Sequence, residues 1–327
     1  MSANGGRHWI TGGYKNMPAY ETVIVGVHDS PTGARAVEMA ALLAAETGVK
    51  LVLVAAYKAD RPNQKGAHGQ GHGHDTIRDA GAAETALVKA TQRCAQVGAL
   101  NVTSVTGAGD PVEVLLDAVS DHDADLLLVG SNGLATLGGR LLGSVPQDVT
   151  REAPCDVMVV HTTTDRWRSL VSHHHRPRLH TDYQRCIVVG VHDSARSQRA
   201  AARAGRIAAD GGAKLVLAGV YEPEDAHTVA KASDSLRGES YLVQGTFPIE
   251  LALHDAERLV RAQGATDVER VSVRGDSMHG LLWVADRFKA DLLVLGNHQL
   301  SGRAAQLIGS ISEQVSRRTA THVLLVH

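Results

Sequence analysis

Aromatic residues and cysteine are scarce in this sequence, and long apolar runs are missing. Phe, Trp and Tyr make up 3% of the 327 residues, so the stacking rings that grip single-stranded nucleic acid are few. A formal net charge of −2 leaves no basic footprint for a phosphate backbone. A nucleic-acid partner is not expected. Cys94, Cys155 and Cys186 are odd in number and show no C-x-x-C spacing, which argues against a disulfide framework and a zinc site and for reduced thiols. No apolar stretch approaches the roughly 18 residues of a membrane span. The start, MSANGGRHWITGGYKN, lacks the apolar core of a signal peptide. A cytoplasmic protein with no membrane partner is the expectation.

What the chain has instead is a repeat. VIVGVHDS at 23–30 returns as IVVGVHDS at 187–194, and KLVLVAAY at 50–57 returns as KLVLAGVY at 214–221, both displaced by 164. ADLLLVG at 124–130 returns as ADLLVLG at 290–296, and the GD and GS pairs return with it, all displaced by 166. The offset changes once, after the second apolar run, so the chain reads as a tandem duplication. The expected layout is a tail over 1–19, one domain over 20–161, a polar His/Arg-rich linker over 162–182 and a second domain over 183–327. MPAYETVIVG at Met17 has the look of a natural start, so residues 1–16 are a disordered tail or lie outside the translated chain.

Within each unit, apolar runs alternate with amphipathic stretches. Val23–Val27, Leu51–Ala55, Leu126–Val129 and Val157–Val160 fit buried parallel strands, with a shorter one at Asn101–Val105. Ser30 can cap a helix that Pro31 opens and Gly48 ends, with Val37, Ala40, Ala41 and Ala44 at i, i+3, i+4, i+7. After Pro111, Val112, Leu115, Leu116 and Val119 repeat that spacing. The fold class is therefore α/β: two tandem open, doubly wound parallel-sheet domains of five strands each, whose ligands sit beyond the carboxyl ends of the strands.

The fourth strand of the first unit runs into GSNGLATLGGRLLGS, residues 130–144, which holds five glycines. Glycines there let backbone N–H groups approach an anion, and a helix starting at Ser144 adds a favourable dipole. This is not a Walker A loop, since G-x-x-x-x-G-K-[ST] is absent and the nearest basic residue is Arg140. In the second unit the segment reads GNHQLSGRAAQLIGS, and Gln299 replaces the middle glycine.

With these residues the chain resembles a tandem universal stress protein: Gly130-x2-Gly133-x9-Gly143-Ser144 matches that family's G-x2-G-x9-G-[ST] signature. The resemblance implies an adenine-nucleotide α-hydrolase-like fold and an ATP site, with or without Mg. Glycine amides and the Ser hydroxyl would hold the phosphates, and the adenine would lie against the ends of the first two strands. Carried over, the first site comprises Val27, His28, Asp29, Val54, Gly130, Gly133, Arg140, Gly143, Ser144 and Val145. The second, degenerate through Gln299, comprises Val191, His192, Ala218, Gly296, Gly309 and Ser310. The family's first strand ends V-D-[GS], whereas both units here place a histidine, His28 or His192, before Asp29 or Asp193. The resemblance also implies that the terminal strands DVMVVH and HVLLVH meet inside the chain as a pseudo-dimer, with a further homodimer open.

Plainer readings stand beside these. Ser144-x-x-Gln147 and Ser310-x-x-Glu313 fit capping boxes, and a histidine at a strand end is commonly a structural hydrogen-bonder. His68, His72 and His74, and the run at 173–175, read as solvated loop and linker with no metal, because glycine spacers make ordering costly. Asp110 and Asp276 read as helix caps and not as catalytic carboxylates. Three functions compete: a regulatory ATP-binding stress protein acting on an unknown protein partner, a nucleotide-independent scaffold, and an ATP-cleaving enzyme. The last is weakest, because VHDS shares only its final two residues with the S-G-G-x-D-S loop of ATP pyrophosphatases.

Overall fold

Two copies of one strand pattern build a single sheet. The structure is a computed structural model, and it describes residues 20–58, 77–131, 135–136, 139–140, 142–161, 185–222, 247–297 and 311–327. The tail, the linker, both His-rich runs, Gly133, Gln299, Gly309 and Ser310 lie outside the described residues.

The first unit runs β1 (Thr22–Gly26), α1 (Pro31–Thr47), β2 (Lys50–Tyr57), α2 (Ala80–Gln96), β3 (Val102–Ala108), α3 (Pro111–Asp121) and β4 (Leu126–Gly130). It continues through β5 (Ala135–Thr136), β6 (Gly139–Arg140), α4 (Ser144–Glu152) and β7 (Asp156–Val160). The second runs β8 (Cys186–Val191), α5 (Ala195–Gly211), β9 (Lys214–Tyr221), α6 (Phe247–Ala262), β10 (Val268–Arg274), α7 (Ser277–Arg287), β11 (Leu292–Gly296), α8 (Ile311–Arg318) and β12 (His322–Val326).

Local chemistry sets the helix ends. The Ser30 side chain accepts from the Gly33 N–H, Pro31 opens α1, and Gly48 closes it in the left-handed region at φ 74°. Asp110 caps α3 by accepting from Val112 N–H, and Asp276 caps α7 by accepting from His279 N–H. The residue before each aspartate, Gly109 or Gly275, sits at φ +141°, which explains the recurring GD pair.

The sheet order is β10-β9-β8-β11-β12-β7-β4-β1-β2-β3. Neighbours are parallel except at the seam, where β12 runs antiparallel to β7 with Leu324 opposite Met158. Side chains alternate across the sheet. One face carries an apolar layer continuous through the seam, from Val23 and Leu53 to Leu217 and Val326, covered by α1, α2, α5 and α6. The other face carries two separate layers, one under α3 and α4 and one under α7 and α8.

The seam ends in two different polar contacts. At one end His327 N–H donates to Asp156 Oδ1 at 3.1 Å. Asp156 Oδ2 accepts from Tyr20 Oη at 3.1 Å and pairs with Arg203 Nε at 3.0 Å. The Arg203 guanidinium also lies 4.4 Å from the centre of the Tyr20 ring. At the other end the corresponding position is His322, whose Nδ1 accepts from His161 N–H at 3.1 Å. Asn297 Nδ2 adds a bond from the second unit to the Thr150 carbonyl in α4, at 2.8 Å.

All three cysteines are free and buried. Burial pushes Cys94 up to about 11 and Cys155 and Cys186 up to about 12, so they remain inert thiols near neutral pH.

Candidate functional site

Register creates the site. Gly26 stands opposite Val54, and Val27 N–H donates to the Val54 carbonyl at 2.7 Å, closing β1 there. β2 and β3 run on together to Tyr57 and Ala108. The carboxyl end of β1 therefore lies at the foot of a ledge. β1 is also where the order reverses, since β2 flanks it on one side and β4 on the other, the place where such sheets keep ligands.

The structure distributes the expected residues unevenly. Val54 sits inside β2 and not at its end, 1% exposed, with its side chain in the layer under α3 and α4. Val27 faces the opposite layer. Ala218 is likewise inside β9 and 1% exposed. Val145 packs onto the α3/α4 layer, and Arg140 lies in β6, paired with Ala135 in a small antiparallel hairpin. That hairpin was not legible as a strand signal.

Two glycines have duties beyond phosphate. A Cβ on Gly130 would lie 2.6 Å from the Thr32 carbonyl carbon and 2.7 Å from Gly33 N, so the first turn of α1 itself requires glycine there. Gly296 meets the Arg196 backbone in the same way, at 2.9 Å. Gly130→Ala is accordingly expected to lower stability by about 1–3 kcal/mol without any nucleotide present. An unchanged urea midpoint would show that the contact relaxes freely. The Gly143 N–H is already committed to the Ser131 carbonyl at 3.0 Å.

The capping box expected at Ser144 is not formed. Gly143 is the N-cap and makes no side-chain cap bond, and Ser144 is the first helical residue. Among the described helices of the first unit, α1, α2 and α3 are capped by Ser30, Asp79 and Asp110. Pro146 has no N–H, so the end of α4 offers a ligand at most the amides of Ser144 and Val145.

The two histidines are not equivalent. In the second unit Ser197 Oγ accepts from His192 N–H at 2.8 Å and donates to the Gly190 carbonyl at 3.3 Å, and His192 is exposed. Gly33 replaces that serine in the first unit, and a Cβ there would sit 2.6 Å from the His28 carbonyl oxygen. His28 is half-buried, and its Nδ1 has no hydrogen-bond partner among the described residues. The structural-bond reading of His28 thus finds no partner at that nitrogen. Asp29 is exposed beside it. Among the described residues, no cluster of His, Cys, Asp or Glu is placed to hold a metal. No described helix is long and apolar enough to cross a membrane.

An open parallel sheet doubled in one chain, with its glycine segment and a glycine-capped helix at the switch point, defines a tandem doubly wound α/β protein. The family model described as the universal stress protein family matches residues 19–161 and 184–327, and the chain belongs to that family. It is 28% identical over 314 residues to the universal stress protein Rv2623 of Mycobacterium tuberculosis, covering 93% of this chain and 95% of that one. A solved universal stress protein from Archaeoglobus fulgidus matches 94% of this chain and 96% of its own, at 16% identity and TM-score 0.64. A universal stress protein solved in complex with cAMP is 42% identical, covering 44% of this chain and 97% of its own, at TM-score 0.36.

Proposed function

We propose that the chain is a regulatory protein of the stress response that binds an adenine nucleotide, ATP foremost, mainly in its first unit. The observation that supports this reading is the N-terminus of α4 at the switch point, where Gly143 is the N-cap and the G-x2-G-x9-G-[ST] spacing puts Ser144 and Val145 in the first turn. A helix N-terminus with its favourable dipole suits a phosphate. The second unit is the weaker binder, because Gln299 interrupts its glycines and Ser197 holds its first loop in a different bonding pattern.

Calorimetric titration of the full chain with ATP, and in parallel with cAMP, tests this. One site per chain is expected. Gly133→Gln, which copies the second unit into the first, should weaken binding tenfold or more at an unchanged melting temperature, since a charge-assisted contact contributes roughly 1.5–3 kcal/mol. Two equivalent sites, or no binding of either nucleotide, would overturn the reading.

A further inference from the structure

The ten-stranded sheet has two outer strands, β3 in the first unit and β10 in the second, and among the described residues each is paired on one side only. An open edge invites another strand, and charged side chains are a common way of blunting it. The edge of the second unit is blunted in this way. Glu269 in β10 pairs with Lys214 Nζ at 2.6 Å. Arg270 in β10 pairs with Glu257 of α6 at 3.0 Å, and Glu257 also holds Arg261 at 2.8 Å. Arg274 ends the strand, exposed.

The edge of the first unit carries no such device. β3 reads VTSVTGA, without a charge. Thr91 Oγ1 lies 3.3 Å from Ser104 Oγ, which sets one flank of α2 beside β3, and Val88 and Ala95, one helical turn to either side, share that flank. Val88 is 57% exposed, and Leu100, just ahead of β3, is 95% exposed. The cations of α2, Lys89 and Arg93, line its other side, towards α1, and the flank regains charge only at Glu84. At the 166-residue offset Thr91, Ala95, Thr103, Ser104 and Ala108 correspond to Glu257, Arg261, Glu269, Arg270 and Arg274. The buried side of the helix is kept, Leu87 and Ala90 returning as Leu253 and Ala256. Single exposed apolar residues need no explanation. The absence of charge at all five matched positions, with Val88 and Leu100 beside them, does.

We propose that the outer edge of β3, with Leu100 and the Val88–Thr91–Ala95 flank of α2, is the interface at which a second copy of the chain pairs, antiparallel about a two-fold axis. The chemistry of the edge selects that occupant. Two-fold pairing sets an edge against itself, so charges near the axis would meet their own sign, and β3 has none to repel. An axis normal to the sheet also lays α2 beside its copy, which covers Val88. An uncharged edge has no sign with which to select a charged partner. Because β10 is charged, each chain has one receptive edge, so association closes at two copies and does not run on as a filament. The edge lies two strands away from β1 and the switch point, and the pairing does not depend on nucleotide.

Sedimentation equilibrium of the full chain, without nucleotide and over roughly a hundredfold range of concentration, tests this, since a dimer population follows mass action. A monomer–dimer equilibrium is expected. Thr103→Lys with Thr106→Lys, both exposed positions of β3, should raise the dimer dissociation constant tenfold or more. Val88→Glu with Leu100→Glu leaves the strand itself untouched and should do the same, so a folding defect in one pair leaves the other to decide. Ser272→Lys, at the exposed position of β10 that matches Thr106, should change the constant less than twofold. A wild type that stays monomeric throughout, or a dimer that survives either pair of substitutions, would overturn the proposal. Loss of the dimer on Ser272→Lys, or growth beyond two copies, would equally show that β3 is not the one receptive edge. The measurement needs no nucleotide, so a failure of ATP to bind would sink the proposed function and leave this inference standing.

Discussion

Lowering the pH from 7 towards 4 is expected to remove stability at up to ~1.4 kcal/mol per pH unit through one side chain, His322. Burial, with the charges of His161 and Arg35 adding to it, pushes His322 from 6.5 down to about 3. The unfolded chain takes up this proton near 6.5 and the folded chain only near 3. The stabilisation is therefore full above 6.5, falls as pH drops through that window, and changes no further below about 3. The geometry supplies the reason: Nδ1 accepts the His161 N–H, and a proton there would place two donors face to face in a residue with 0% exposure. His322→Asn keeps an acceptor and cannot titrate. Urea unfolding of both proteins between pH 7 and 5.5, where carboxylates contribute little, should show a steeper loss in the wild type. Parallel curves would mean that the imidazole is hydrated or repositioned before it charges.

The opposite end of the seam should show the largest single-site loss near neutral pH. Asp156→Ala would strip partners from Tyr20 Oη, Arg203 Nε and His327 N–H together. Asp156 has 6% side-chain exposure and Arg203 29%, so a cation is left only partly hydrated. Removing one member of a buried pair costs about 3–5 kcal/mol, and partial exposure of Arg203 places the expectation near the lower figure. Asp156→Asn, which retains an acceptor, should lose less. The check is the urea midpoint at pH 7.5, and a loss below about 1 kcal/mol for Asp156→Ala would show that water replaces the carboxylate at little cost.

Much of the fold could be read from short-range signals. The duplicated strands, the Ser30–Pro31 and Asp110–Pro111 starts and the Gly48 stop are decided by residues within a few positions of each other, and all stand in the structure. The pairing of the terminal strands also stands. What sequence could not show depends on register between distant segments. The overhang of β2 past β1 makes Val54 an interior residue. Gly130 answers to Thr32 and Gly33 across the sheet end, so its spacing signature looks the same whether a helix or a phosphate demands it. Ser144 fits a capping box by spacing, yet Gly143 takes the cap. The difference between Gly33 and Ser197 was present in the repeat, but its effect on the two histidines appears only once α1 and α5 are placed.

The seam also bears on how the two halves are free to diverge. In a dimer of identical chains every substitution enters the junction twice, so a carboxylate at one end imposes a carboxylate at the other. Fusion lifts that constraint. Here a charged Asp156 cluster and a neutral His322 contact occupy corresponding positions, a mismatch that a symmetric dimer of either half could not carry. A mutation that would be doubly harmful in the ancestral arrangement is felt once, and a single pairing of β7 with β12 keeps the altered half in register. One half can then take up a change at the seam that the other half never has to match.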